Sequence, residues 1–401
     1  MRPLRIAMNG AGSGRGQSWM ATLKKLTEAG FYDFCALCEV VPEKARENSE
    51  RWGVPAYPNL VELLDSEGPE VVLNGAPPDC NVVAVPLAAR RGVHVLTEIP
   101  IAPTLPLARF MMETARENGV KLEVCEQVWR WAKEQLKRRI LDSGLIGEVT
   151  HARLYYTNKA DYHGINGLRM LIRSPARRVL GYTQKVRVAP FRERSLDMTG
   201  QILRTEDRWD LAIIEFENGV TGIFSSPPRA RMSARWDLEG TRGQLVGDSL
   251  YLGGYTDFQH YPFVEEYTTV NGEKTLDHLR VDTDPPVVFE NPYRAYRAAD
   301  GDEVARMDLL LGMYRAITEG GEPLYGADNA CRDLEILLAM RESARRGNTW
   351  VDLPLTEETA LEKELEAEFR RRYGHDPRDT EALVGIRFPV GGIRYTVANW
   401  D

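Results

Sequence analysis

Up to about residue 126, short apolar runs alternate with amphipathic stretches. Leu4–Asn9, Phe34–Val40, Glu70–Gly75, Val93–Thr97 and Lys121–Glu126 read as strands. Ser18–Ala29, Pro42–Trp52, Asn81–Arg91 and Pro106–Asn118 carry helical spacing between them. This order predicts an α/β unit, a doubly wound parallel sheet covered on both faces. Sheets of this kind bind ligands at the carboxyl ends of their strands. Gly10–Gly16, Glu39, the Ala76-Pro77-Pro78 corner and Glu98 all fall there.

From about residue 147 the period changes. Glu148–Thr157, Arg178–Val188, Trp209–Glu217 and Val220–Ser226 read as longer, partly alternating strands, with Asn218-Gly219 as a hairpin turn. Arg235–Glu239, Gln244–Val246 and Leu250–Leu252 continue the pattern. Helical spacing marks Lys133–Ser143, Gly164–Ser174, Asp302–Glu319 and Ala327–Arg346. The expectation is a second α/β domain with an open, mostly antiparallel sheet and helices on one face. A charged helix, Glu357–Arg372, and an apolar segment, Ile386–Trp400, follow. They read either as a solvated appendage or as an arm on a neighbouring subunit. The predicted organisation is 1–128, 129–355 and 356–401.

A length of 401 residues exceeds what one core usually supports, in keeping with two domains and an appendage. The formal charge of −8 argues against nucleic acid or an anionic membrane as partner. No apolar run approaches membrane-spanning length, and the first strand begins almost at once, so no signal peptide is expected. The five cysteines are scattered, which suggests a reducing, cytoplasmic setting. Cys35 and Cys38 lie three apart on one strand and point to opposite faces, so they cannot share an ion. The histidines lack metal-ligand spacing, and no metal is expected. An open sheet and an apolar tail together predict a homo-oligomer, a dimer or tetramer.

The glycine loop carries specific chemistry. Gly10 and Gly12 allow backbone to approach a pyrophosphate, and Ser13, Gly14, Arg15 and Gly16 lead into a helix whose N-terminus carries partial positive charge. The third glycine of the dinucleotide fingerprint falls one place late, at Gly16. Glu39 ends the second strand roughly 20 residues past the loop, where a carboxylate accepts from ribose hydroxyls. Val40 and Val41 follow without a basic residue to welcome a 2′-phosphate, so NAD is expected over NADP. Ala76, Pro77, Asn81, Glu98, Trp129 and Arg130 complete the candidate cofactor set.

These motifs resemble the Gfo/Idh/MocA family, the glucose–fructose oxidoreductase and inositol dehydrogenase group. The resemblance covers roughly residues 4–355 and rests on Gly10–Gly16 with Trp19, on Cys38–Ala45, and on Ala76–Asn81. Gly92–Pro100 and Ser143–Val149 extend it. It implies a Rossmann domain, an α/β substrate domain and chemistry on sugars or cyclitols. Family members typically carry Glu-Lys-Pro where this chain has Glu98-Ile99-Pro100, and often a histidine at the place of Asn81. The family's second-domain relay positions hold Lys159, His163 and Asn166, of which only the histidine matches.

His163 is the candidate base, because an imidazole titrates near neutrality; a histidine that merely caps or packs its helix is the competing reading. Lys159 offers a replacement ammonium, with a solvated loop lysine as the alternative. Tyr162 is a further candidate acid. Arg130, Tyr156 and Asn166 are candidate substrate contacts. Arg169, Arg173, Arg177 and Arg178 suit either an anionic substrate group or ordinary pairing with carboxylates. Three functions stay open. The first is an NAD-dependent dehydrogenase of a sugar, cyclitol or derivative. The second is an NAD-dependent glycoside hydrolase or lyase that oxidises a sugar carbon transiently and returns the hydride. The third is a catalytically silent NAD-binding protein.

Overall fold

The computed structural model describes residues 2–155, 161–194, 201–227, 235–254, 256–389 and 392, with the side chains of 161, 193, 194, 201 and 202 left out. The first sheet has six parallel strands: β1 (Leu4–Asn9), β2 (Tyr32–Cys38), β3 (Ala56–Tyr57), β4 (Val71–Asn74), β5 (His94–Thr97) and β6 (Leu122–Val124). Their spatial order is β3-β2-β1-β4-β5-β6, so the chain reverses direction at β1 and opens a crevice at the carboxyl ends. Helices α1 (Gly14–Glu28), α2 (Pro42–Trp52), α3 (Leu60–Glu67), α4 (Asn81–Ala89) and α5 (Leu105–Glu117) make the crossovers. Their starts are locally encoded. Ser13, Asn59 and Thr104 each accept a backbone N–H of the helix they open, and Pro42 sits at the start of α2. β4 is buried at all four positions, as expected of a strand covered on both sides.

After α6 (Ala132–Asp142), the second sheet begins with β7 (Val149–Tyr155). Helix α7 (Asp161–Ile172) follows, then β8 (Ala176–Arg194), β9 (Gln201–Phe216), β10 (Thr221–Ser226), β11 (Arg235–Gly240), β12 (Gly243–Val246), β13 (Ser249–Gly253) and β14 (Phe258–Pro262). A short strand, Val351–Asp352, completes the nine-stranded sheet at the β8 edge. Among the described residues the strands of this sheet pair antiparallel, except β10 with β7. A separate three-stranded sheet, β15 (Val264–Val270), β16 (Glu273–Val281) and β17 (Val287–Glu290), packs against α6. Its hairpin turns at Asn271-Gly272, both with positive φ, a turn signal that was present in the sequence.

Helices α8 (Gly301–Thr318) and α9 (Gly326–Arg345) tie the two sheets together. Arg306 on α8 donates to Thr22 of α1 at 2.9 Å, and the Tyr32 hydroxyl donates to the Leu310 carbonyl at 2.6 Å. The start of α9 meets β6. The tail helix α10 (Ala360–Tyr373), read from the sequence as solvated or as an arm on a neighbour, lies on its own chain. Leu361, Leu365 and Phe369 are buried, and Glu362 accepts from the backbone of Leu105 at 2.9 Å. Its acidic residues look solvent-bound in sequence, but some of them cap and dock α5. The tail segment 393–401 lies outside the described residues.

Glu123, on the edge strand β6, has no exposed surface. Its carboxylate accepts from the backbone N–H groups of Val124, Tyr325 and Gly326 at 2.9, 3.1 and 2.7 Å. Burial outweighs these bonds and pushes the carboxyl up to about 7. The fold therefore binds this proton more tightly than the unfolded chain does. The resulting stability is fully present below the ordinary carboxyl value and is lost as pH rises through about 7. Urea midpoints measured across that window should fall with pH, and Glu123→Gln should flatten the slope. Equal slopes in the two proteins would contradict this assignment.

Candidate active site

The site is built at the carboxyl end of the first sheet. Three side-chain amides and a hydroxyl lock the strand ends together. Asn9 donates to Asn74 at 2.7 Å, and Asn74 donates to Asn81 at 2.9 Å and to Thr97 at 3.0 Å. Asn81, expected at the cofactor, is fully buried and donates to the carbonyls of Glu98, Pro100 and Ile101 at 3.1, 3.0 and 3.3 Å. It therefore shapes the Glu98–Ile101 turn and has no surface to offer a ligand.

The glycine loop sits on this platform. Gly10 has φ +81°, and a Cβ there would lie 2.7 Å from the Ala76 nitrogen, against the Ala76-Pro77 corner. A Cβ on Gly12 would lie 2.3 Å from Glu39 Oε2. That oxygen accepts from the Gly12 N–H at 2.7 Å, and Glu39 Oε1 accepts from the Val41 N–H at 3.0 Å. Ser13 caps α1 by accepting from the Gly16 N–H at 2.9 Å, so Gly14 and Arg15 form the first turn of a helix that opens at the crevice. Loop, carboxylate and helix start are brought together in the arrangement a pyrophosphate and an adenosine ribose require.

Arg15 faces inward along the same edge. Its Nε donates to Glu98 at 2.9 Å, its guanidinium lies 5.0 Å from the Trp19 ring centre, and it reaches Asp302 at 3.6 Å. The Trp19 indole N–H also donates to Glu98. Glu98 and Asp302 are thus held by Arg15 between the two halves of the chain, and Asp302 had no signal in the sequence. Ile99 packs against the core.

In the second half, His163 stands near the start of α7. Its Nδ1 lies 2.9 and 2.8 Å from the two carboxylate oxygens of Glu126, a residue with no exposed surface just past β6. A carboxylate only accepts, so Nδ1 carries the proton of this contact. The Glu126–His163 pair spans 37 residues and was missed in the sequence. Its one local sign is the acidic residue at the end of a strand.

Several expected contacts are committed elsewhere. Tyr162 is buried, with its hydroxyl 3.1 Å from both the Tyr325 hydroxyl and the Ala330 carbonyl. Burial holds that phenol well above its ordinary value, which removes it as an acid near neutrality. Asn166 is buried and donates to Asp333 at 2.8 Å. Arg130 pairs with Asp308 at 2.7 Å, donates to Gln135 at 3.1 Å and lies 5.0 Å from the Trp129 ring centre. Arg169 pairs with Asp333, Arg173 with Asp142, and Arg177 and Arg178 with Glu215. These arginines form structural ion pairs and give no anion pocket. Tyr156 and Lys159 lie outside the described residues. Among the described residues no cluster of acidic, histidine or cysteine side chains suits a metal ion, and no helix is long and apolar enough to cross a membrane.

Residues 4–126 match the family described as an oxidoreductase family with an NAD-binding Rossmann fold. Over that stretch, which holds the first sheet and its crevice, the chain is similar to the Gfo/Idh/MocA family. The chain is 24% identical over 332 residues to a D-apiose dehydrogenase of Paraburkholderia graminis, spanning 79% of this chain and 82% of that one. It is 26% identical over 157 residues to an uncharacterized oxidoreductase of Schizosaccharomyces pombe, a match spanning 39% of this chain and 42% of the yeast protein. The whole fold resembles a solved levoglucosan dehydrogenase in complex with NADH and L-sorbose. The TM-score is 0.68 at 18% identity, over 88% of this chain and all of that one.

Proposed function

We propose that the protein is an NAD-dependent oxidoreductase acting on a CH–OH group of a sugar, cyclitol or derivative. The observation that carries the reading is the Glu126–His163 pair, with Nδ1 at 2.8 Å from Glu126 and belonging to the half of the chain that faces the NAD domain. The dehydrogenase names of the relatives support the substrate class.

The cradle fits the cofactor. The space beside Gly12 that Glu39 closes to any larger residue leaves the backbone exposed to a pyrophosphate, and Glu39 stands ready for the ribose hydroxyls. Gly10–Gly16, Glu39, Ala76 and Pro77 would hold it, with Glu98 kept in place by Arg15 and Trp19. Bound there, NAD supplies a hydride acceptor. A carbinol releases hydride only as its hydroxyl proton leaves, so a base must lie within hydrogen-bond reach of that oxygen. His163 takes this proton at Nε2. Glu126 is its positioning residue: it fixes the tautomer and offsets the imidazolium charge that forms. Lys159, four residues before His163, supplies the ammonium that polarises the oxygen in place of the lysine absent at Ile99. The exposed face of the second sheet carries Tyr182, Leu203, Ile213 and Ile223, which are 41%, 64%, 39% and 42% exposed, and a homo-oligomer would cover them.

Three outcomes follow. Titration calorimetry should show tighter binding of NAD than NADP, because Glu39 repels a 2′-phosphate. Glu39→Ala should narrow the difference, and Gly12→Ala should weaken NAD itself. Equal affinities in the wild type would remove the preference. His163→Ala should lower turnover by about two to four orders of magnitude, the scale of a general base, and leave NAD affinity nearly intact. Because that change strands a buried carboxylate, His163→Asn, which retains a donor toward Glu126, serves as the folded control. Lys159→Ala should be milder. Normal turnover in both histidine variants would sink the mechanism. Light scattering at micromolar concentration should find an oligomer, and a monomer would refute that part.

A further inference from the structure

Helix α4 is apolar nearly all round and buried at every position. A crossover helix normally keeps a polar face for water, and one without such a face has to be covered on its outer side as well. The tail supplies that cover. A single turn, α11 (Thr380–Leu383), packs on α4 with Thr380 and Leu383 buried. Phe369, Tyr373 and Phe388 pack together beside it, with ring centres 4.6 Å apart for Phe369 and Tyr373 and 4.9 Å for Tyr373 and Phe388. Arg378 ties the intervening loop back to α10 through two bonds of 2.8 Å to Glu366.

This docking has a polar anchor next to the crevice. Asp79, in the short turn Pro78–Cys80, has no exposed surface. The Tyr373 hydroxyl donates to its Oδ2 at 2.6 Å. Burial and the neighbouring carboxylate hold the phenol above its ordinary range, so it stays a donor. The tail comes equally close to the other oxygen: Gly392 has φ +60°, and a Cβ there would lie 2.8 Å from Asp79 Oδ1. In sequence Asp79 stands between the Ala76-Pro77 corner, which lies against Gly10, and Asn81, which holds the Glu98–Ile101 turn. A buried carboxylate is tolerated only when other groups answer it, and here the tail gives part of the answer. Two walls of the crevice thus meet at a turn that the last part of the chain helps to hold.

We propose that the tail is a strap on the NAD site, in which Tyr373, through Asp79, is a positioning residue for the Ala76-Pro77 wall. The inference rests on NAD occupying the crevice described above. Coupling of this kind is reciprocal: the factor by which loss of docking weakens NAD is the factor by which bound NAD strengthens docking.

The test uses the full chain and two readouts. In titration calorimetry Tyr373→Phe, which keeps the ring and removes only the hydroxyl, should bind NAD about fivefold or more weakly, the low end of coupling between sites. Leu383→Ala, which loosens the tail at α11, should shift the affinity in the same direction. In hydrogen exchange of the wild type, saturating NAD should slow the amides of residues 373–389 by a similar factor and leave those of the β15–β16 hairpin unchanged. A tail that only stabilises the fold would lower the melting temperature of both variants and leave the two readouts unmoved. Wild-type NAD affinity in folded Tyr373→Phe, or tail exchange indifferent to NAD, would overturn the inference. Should Tyr373→Phe fail to fold, the exchange measurement on the wild type decides alone. A wild type that binds no NAD would remove the cofactor reading and this one with it, so the two failures look different.

Discussion

Two carboxylates at the edge of the parallel sheet, Glu123 and Glu126, have no exposed surface. A buried carboxyl is tolerated only when other groups answer it. Local backbone answers part of the demand, through the N–H groups of Val124 and Val128. The rest comes from the second half of the chain: Tyr325 and Gly326 at the start of α9 for Glu123, and His163 on α7 for Glu126. The first sheet therefore cannot close its own edge without the second domain. That requirement holds His163 against the end of β6.

The same dependence organises the crevice. The buried amides of Asn9, Asn74 and Asn81, with the Thr97 hydroxyl, link three strand ends and shape the turn that carries Glu98. Arg15 then joins Glu98 to Asp302 across the domain boundary. Ile99, next to Glu98, is partly buried and packs against the core. In the proposed reaction the proton is handled by His163, which comes from the second half of the chain. The residues proposed to hold NAD belong to the first half of the chain, and the proposed turnover would depend on how the two halves are joined.

Much of this was legible in sequence where the physics is local. The βα alternation, the glycine loop and Glu39 are encoded within short windows by period, backbone freedom and strand ends, and they lie where expected. What depends on distant partners was not legible. Glu126 and His163 are 37 residues apart, Arg130 and Asp308 are 178 apart, and no spacing rule connects either pair. Burial reassigned others: Asn81, Tyr162 and Asn166 read as site residues but are enclosed inside the fold. The hairpin at Asn271-Gly272 had its turn signal in plain view. The charged tail helix did not show its docking, because carboxylates that cap a neighbouring helix look in sequence like solvated ones.

The central claim is that a histidine held by a buried carboxylate, and not the residue at position 99, faces the reacting carbon. The most direct measurement is a crystal structure of the NADH complex with a bound polyol. The account predicts the carbinol oxygen within hydrogen-bond reach of His163 Nε2, with Nδ1 still on Glu126 and the adjacent carbon facing nicotinamide C4. A complex in which His163 lies away from that carbon, or in which Glu126 has released it, would contradict the account.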